Sequence, residues 1–327
     1  MKYLITGITG FVGPHLANLL VEEGHEVYGL VRHSNGRETD ITDVVSYDVF
    51  KEIKFIYSDI SNFRTLSKVF KEHQFDGVFH LAAQSHPPTS FADPLGTIND
   101  NVVGSANIIQ CIEDYCPDAK LMFCSTSEVY GNVGIDKRAI KTTDQILPAN
   151  PYGASKAATD IYLQERFENK KINGFITRAF SHTGPRRGRT FSISSDAYQI
   201  ARMMNGDQDS RSLLVGNLES VRVVLDVRDM VQAYHLLMTN EGSSGNIYNV
   251  CGTEPHEMGH FTDLLIKHSG LTDIRKTVHP PFYRPIDIHY QCGDSAPVKE
   301  LTGWEPKRDL NSTMSDLLEY WVNKLRR

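Results

Sequence analysis

The chain predicts an α/β fold: a doubly wound, mostly parallel sheet with helices on both faces, plus a smaller mixed α/β lobe. Two observations carry this expectation. Short apolar runs alternate with helical patterns over the first 180 residues, the mark of repeated βαβ units. The first run ends in a glycine-spaced turn, Thr6-Gly7-Ile8-Thr9-Gly10-Phe11-Val12-Gly13, that opens a helix.

The elements follow in order. Lys2–Thr6 reads as a strand and Val12–Glu23 as a helix. Glu26–Val31 and Lys54–Tyr57 read as the next two strands, and Leu66–His73 as a helix. Gly77–Ala82 is a strand, Val102–Tyr115 a helix and Lys120–Ser125 a strand. Tyr152–Asn169 is a helix and Gly174–Arg178 a strand. Crossovers should be right-handed, with ligands at the carboxyl ends of the strands. Arg32–Asp48 is polar and aperiodic, so it is expected to be a mobile loop. Gly184–Arg189 reads as loop. A division follows: residues 1–180 as a Rossmann-type dinucleotide domain and 181–327 as a lobe closing over substrate. Val224–Leu237 and Asn246–Val250 are expected to return to the main sheet.

Bulk composition narrows the function classes. The 327 residues carry a formal charge of −6, which argues against a nucleic-acid partner held by bulk electrostatics. No apolar run approaches the roughly 20 residues of a membrane span, and no cleavable signal pattern precedes the first strand. The five cysteines include no Cys-x-x-Cys pair. Reduced thiols in a cytoplasmic protein, without a metal site, are expected. His256 and His260 are spaced i, i+4, but Gly259 between them weakens a helix there.

The most informative stretch is Tyr152-Gly-Ala-Ser-Lys156. A Tyr and a Lys one helical turn apart share a face. A cation beside a phenol favours the phenolate, which can then take a proton from a sugar hydroxyl. Gly7 and Gly10 would let the backbone approach a pyrophosphate, and Gly13 would let the helix pack closely on the strand. The helix opening at Phe11 and Val12 supplies amide donors and a positive dipole. An acidic residue at the end of the second strand would favour NAD, but the chain has Val31-Arg32-His33-Ser34. Arg32 suits a 2′-phosphate, so NADP is the expected cofactor. Asp59, with Ile60 beside it, is placed to meet the adenine. Leu81, Ala82 and Ala83 offer small residues against the cofactor.

The glycine turn, His80-Leu81-Ala82-Ala83-Gln84, Ser125-Thr126-Ser127-Glu128 and Tyr152-x-x-x-Lys156 resemble the extended short-chain dehydrogenase/reductases. More narrowly the chain resembles their GDP-sugar branch, which holds 4,6-dehydratases and 4-keto-sugar reductases. The likeness extends through Ser181-His182-Thr183-Gly184-Pro185-Arg186-Arg187-Gly188, Gly216-Asn217-Leu218-Glu219, Arg284-Pro285 and Gly303-Trp304-Glu305-Pro306.

That resemblance implies roles. In a dehydratase, Tyr152 would take the C4 hydroxyl proton, Lys156 would lower its pKa and hold the nicotinamide ribose, and Thr126 would hydrogen-bond the sugar oxygen. Glu128 would abstract the C5 proton; its other reading is a structural acceptor, and since reductases of the branch can also carry Glu there, the residue type alone does not separate the two activities. In a reductase, Tyr152 would donate a proton to the C4 ketone. Ser85, Ser181, Arg187, Arg222, Arg284 and Asp287 would meet the nucleotide sugar. Arg186 and Arg187 resemble a loop that meets the neighbouring subunit in dehydratases, and a homodimer or homotetramer is implied. His182 is a structural or substrate hydrogen-bond partner. Ser181 stands where the branch usually has Asn, Val223 where Asp is usual, and Ser192–Ala197 lacks the usual basic residue. These departures leave other hexose or heptose nucleotides open beside GDP-mannose. A catalytically silent NADP-binding scaffold is the third reading, and the intact Tyr152, Lys156, Thr126 and Glu128 weigh against it.

Overall fold

The computed structural model describes residues 1–32, 37–283 and 288–326. Its centre is a seven-stranded parallel sheet. The strands are β1 (Lys2–Thr6), β2 (Glu26–Val31), β3 (Lys54–Tyr57), β4 (Gly77–His80), β5 (Lys120–Thr126), β6 (Asn173–Ala179) and β7 (Ile247–Val250). Their order is β7-β6-β5-β4-β1-β2-β3. The chain therefore reverses direction across the sheet between β1 and β4, and the carboxyl ends there open a crevice.

Alternation along each strand builds two cores. Tyr3, Ile5, Phe79 and Met122 point to one face, where Leu16, Leu20, Met230 and Leu237 cover them. Leu4, Val78, Leu121 and Phe123 point to the other, against Leu66, Phe70, Ile108 and Ile112. The period of two in a strand buried on both faces explains the near-continuous apolar runs. The covering helices are α1 (Val12–Glu22), α2 (Phe63–Glu72), α3 (Gly104–Tyr115) and α4 (Pro151–Glu168). Asn62 starts α2 by accepting the Thr65 amide at 3.2 Å, three residues ahead of the expected start. Asn150 starts α4 by accepting the Gly153 amide at 2.8 Å, with Pro151 at the first helical position.

The region expected to be a mobile loop is different where it is described. Arg37–Asp43 forms a 3₁₀ helix and Tyr47–Glu52 an α-helix. Buried Ile41 and Val45 tie it to the core. Residues 33–36 lie outside the described residues.

The smaller lobe is built by α5 (Ser192–Asn205), α7 (Met258–Ser269) and α8 (Leu310–Arg326), packed around Ala197, Ile200, Phe261, Leu265 and Leu317. Helix α6 (Val227–Thr239) lies instead on the main sheet, and Asp226 caps it by accepting the Arg228 amide at 2.8 Å. Gly259 does not prevent a helix: its amide donates to Leu218 O at 2.9 Å within the first turn of α7. His256 and His260 stack with centroids 4.2 Å apart. No group of three metal-ligating side chains, and no helix long and apolar enough to cross a membrane, occurs among the described residues.

Candidate active site

A cavity of about 1160 Å³ runs along the carboxyl ends of the strands and under the smaller lobe. At one end is the glycine turn. Gly7 has φ +75°, and a Cβ there would meet Ala82 N at 2.9 Å. A Cβ at Gly13 would lie 2.6 Å from Gly7 O and Ile8 Cα, so only glycine lets α1 start this close to the turn. No side chain caps the start of α1 at Phe11. The uncapped first turn suits an anion, which the helix dipole favours.

Phe11, Val12, Ile60, Leu81, Ala82 and Ala83 line the same end. Arg32 does too, with its guanidinium 3.1 Å from Asp100 Oδ2 and 3.6 Å from Asp59 Oδ2. Asp59 is the exception. It does not line the cavity, and its Oδ1 accepts from the Ser61 amide at 2.9 Å and hydroxyl at 2.8 Å. The turn after β3 thus uses one oxygen of this carboxylate internally.

At the middle of the cavity, β5 and α4 converge. Thr126 ends β5 and accepts the Glu128 amide at 3.3 Å, which turns the chain so that Glu128 faces inward. Asn150 Nδ2 donates to Glu128 Oε2 at 2.7 Å. Tyr152 and Lys156, one turn apart on α4, are both buried. Burial pushes the Tyr152 phenol up, reinforced by Cys124 and Glu128, while a hydrogen bond with Thr126 and the Arg187 guanidinium pull it down. Burial lowers Lys156 to about 8. Its ammonium lies 4.2 Å from the centroid of the Phe123 ring and makes no hydrogen bond among the described residues. A buried ammonium with open donors is stabilised by a ligand hydroxyl.

Arg187 sits between two aromatic rings, 3.6 Å from the Phe191 centroid and 4.8 Å from that of Phe11. Its burial lowers the guanidinium to about 10. Neighbouring Arg186 turns back onto its own chain, donating to Thr9 O and Gly10 O at 3.1 Å each. His182 stacks on Phe11 and bonds Phe180 O through Nδ1 at 2.8 Å; burial and then Arg187 lower it to about 4. It is therefore neutral near pH 7.

Ser85, Ser181 and Arg222 complete the walls. Arg284 and Asp287 lie outside the described residues. Sequence reasoning missed Asn150, whose side chain both caps α4 and holds Glu128; the Asn-Pro pair before the Tyr was the available signal. The arrangement offers an anion cradle, a buried Tyr with a Thr and a Glu beside it, a buried cation at Lys156 and a partly buried one at Arg187. It can hold a dinucleotide and move protons at a carbon bearing a hydroxyl or ketone.

A family model described as GDP-mannose 4,6 dehydratase matches residues 4–317. The chain is 30% identical to the GDP-mannose 4,6-dehydratase sdnI of Sordaria araneosa over 96% of its length, spanning 60% of that longer protein. It is 27% identical to the GDP-6-deoxy-D-mannose reductase of Pseudomonas aeruginosa, across 99% of this chain and 98% of the relative. The structure of RMD from P. aeruginosa complexed with NADPH superposes with a TM-score of 0.81 at 26% identity, covering 98% and 99% of the two chains.

Proposed function

The chain belongs to the GDP-mannose 4,6-dehydratase family, and we propose that it is an NADP-dependent 4,6-dehydratase of GDP-mannose or a related GDP-sugar. The observation that carries this is Glu128, buried beside Tyr152 and Thr126 and held by Asn150. A reductase needs only a proton donor at C4; a dehydratase also needs a base at C5.

The residues fit the cofactor: the glycine cradle would fill if a Cβ were added, α1 is uncapped, and the Lys156 ammonium has open donors. Arg32 would hold the 2′-phosphate and Lys156 the nicotinamide ribose. When bound, NADP supplies hydride acceptance at C4 and hydride return at C6. Tyr152 takes the C4 hydroxyl proton, with Thr126 bonded to the same oxygen. Arg187 offsets the negative charge that develops there. The new C4 ketone acidifies C5–H. Glu128 takes that proton, the C5–H electron pair becomes the C5–C6 π bond as the C6–O bond breaks, and the departing oxygen takes the proton back from the Glu128 carboxyl and leaves as water.

The reductase reading is favoured by one observation: the P. aeruginosa reductase aligns over almost its whole length. Incubation of GDP-mannose with the protein and NADP separates the two. A product lighter by one water, with a C6 methyl and no net NADPH change, supports the dehydratase. Unchanged GDP-mannose, with NADPH consumed on the 4-keto-6-deoxy sugar, supports the reductase. We also propose a homodimer through the apolar residues Leu95, Ile98, Val103 and Ile161, which are 77%, 45%, 45% and 55% exposed. Light scattering that returns a monomer mass overturns this.

A further inference from the structure

The segment where a basic residue was expected, Ser192–Ala197, instead carries an acid that faces the cavity. Asp196 lies in the second turn of α5 and is only 5% exposed. Its Oδ2 accepts the Thr262 hydroxyl at 2.7 Å. Its Oδ1 has no hydrogen-bond partner among the described residues, and the residue lines the cavity. The nearby Lys276 forms its ion pair with Asp263.

The surroundings point to a planar, hydrogen-bonding ligand. Leu214, Gly216, Met258 and Phe282 form the wall near α5. Gln199 on the same wall is already used: it accepts the Leu214 amide at 3.0 Å and donates to Leu214 O at 2.9 Å. Asp196 brings a carboxylate acceptor to this wall. A buried carboxylate with only one donor is costly, and burial raises Asp196 to about 7.

We propose that Asp196 reads the base of the bound nucleotide, accepting from the adjacent N1–H and 2-amino group of guanine. This deepens the nucleotide-sugar reading above and rests on it. With the sugar at Tyr152, the nucleotide's far end lies against the smaller lobe. Guanine presents two neighbouring N–H donors, which a carboxylate can accept side by side. Uracil and thymine present one N–H flanked by two carbonyl oxygens, which repel it. Asp196 therefore selects guanine nucleotides.

Calorimetric titration tests this with the NADP site saturated, so that only the second nucleotide site is read. GDP, inosine diphosphate (which lacks the 2-amino group) and UDP are titrated into the wild type and Asp196→Asn. GDP should bind about tenfold or more tighter than inosine diphosphate or UDP, the scale of hydrogen bonds to a charged group. Asp196→Asn keeps an acceptor for Thr262 and should lower GDP affinity by a similar factor while leaving UDP unchanged. Equal wild-type affinity for GDP and inosine diphosphate overturns the inference without any variant, as do unchanged ratios in Asp196→Asn. If no nucleotide binds the wild type, the nucleotide-sugar reading falls and takes the inference with it.

Discussion

Arg178 and Asp160 form a two-pronged ion pair with side-chain exposures of 2% and 0%. Arg178 Nε and Nη2 donate to the two carboxylate oxygens at 3.0 and 2.9 Å. The Ser125 hydroxyl donates to Asp160 at 2.8 Å, and Arg178 Nη1 donates to Tyr130 Oη at 2.9 Å. Asp160 stands one turn after Lys156 on α4, and Ser125 directly precedes Thr126 on β5. Asp160 therefore ties α4 to β6 through Arg178 and to β5 through Ser125, so the two elements that carry Tyr152, Lys156 and Thr126 are held together.

Breaking such a pair strands a buried charge. Asp160→Ala should cost about 3–5 kcal/mol, read as a lowered urea midpoint with unchanged slope. A cost below about 1 kcal/mol would mean that solvent reaches Arg178 and that the pair does not lock the site.

Lys156 makes a prediction of opposite sign for stability. Burial lowers its folded pKa to about 8, below the roughly 10.4 of a free lysine. The unfolded chain holds the proton more firmly, so stability rises with pH between those two values. Below about pH 8 the folded protein bears the full cost, on the order of 3 kcal/mol at 1.36 kcal/mol per unit. Lys156→Met should therefore raise the melting temperature of the cofactor-free protein at pH 7, with a smaller gain at pH 9.5. It should also abolish turnover. A melting temperature that drops at pH 7 would show that the ammonium stabilises the empty site.

Much of this was readable in the chain, and the reasons are local. Strands such as Lys2–Thr6 and Glu26–Val31 are buried on both faces, so composition alone marks them. Tyr152 and Lys156 share a face because four residues make one turn. What escaped depends on contacts between distant segments. The 3₁₀ helix at Arg37–Asp43 is held by Ile41, a single apolar anchor in a polar stretch. Helix α5 opens on serines without a side-chain cap, so its start carries no signal. The approach of Arg187 to Tyr152 follows from how the 184–189 loop folds over α1, with Arg186 tethered to Thr9 and Gly10. No spacing rule encodes that.

In the proposed site Arg32 would decide between the two nicotinamide cofactors. Its guanidinium is about half exposed and already near Asp59 and Asp100, so it is oriented over the mouth of the cofactor end. Arg32→Ala should weaken NADPH binding about tenfold or more, the range for a charged hydrogen bond, and leave NADH unchanged. Fluorescence titration of both cofactors checks this. Equal losses for the two would mean that Arg32 braces β2 and does not read the phosphate.

In the proposed reaction Glu128 carries the step that separates water elimination from simple reduction. Its Oε2 is held by Asn150, so Glu128→Gln can keep that contact through the amide oxygen while losing the basic site. Turnover of GDP-mannose should fall by about 10²–10⁴, the usual contribution of a positioned base. NADP affinity should not change, because Glu128 lies on the sugar side of Tyr152 in the proposed reaction. The exchange of C5–H for deuterium in D₂O, followed by proton NMR, reads the base directly and does not require completed elimination. Asn150→Ala should slow that exchange more weakly, since it loosens the carboxylate without removing it. Exchange that persists in Glu128→Gln at the wild-type rate would take the C5 base away from Glu128. Its contact with Asn150 would then be a support for α4, and a different group would be the C5 base.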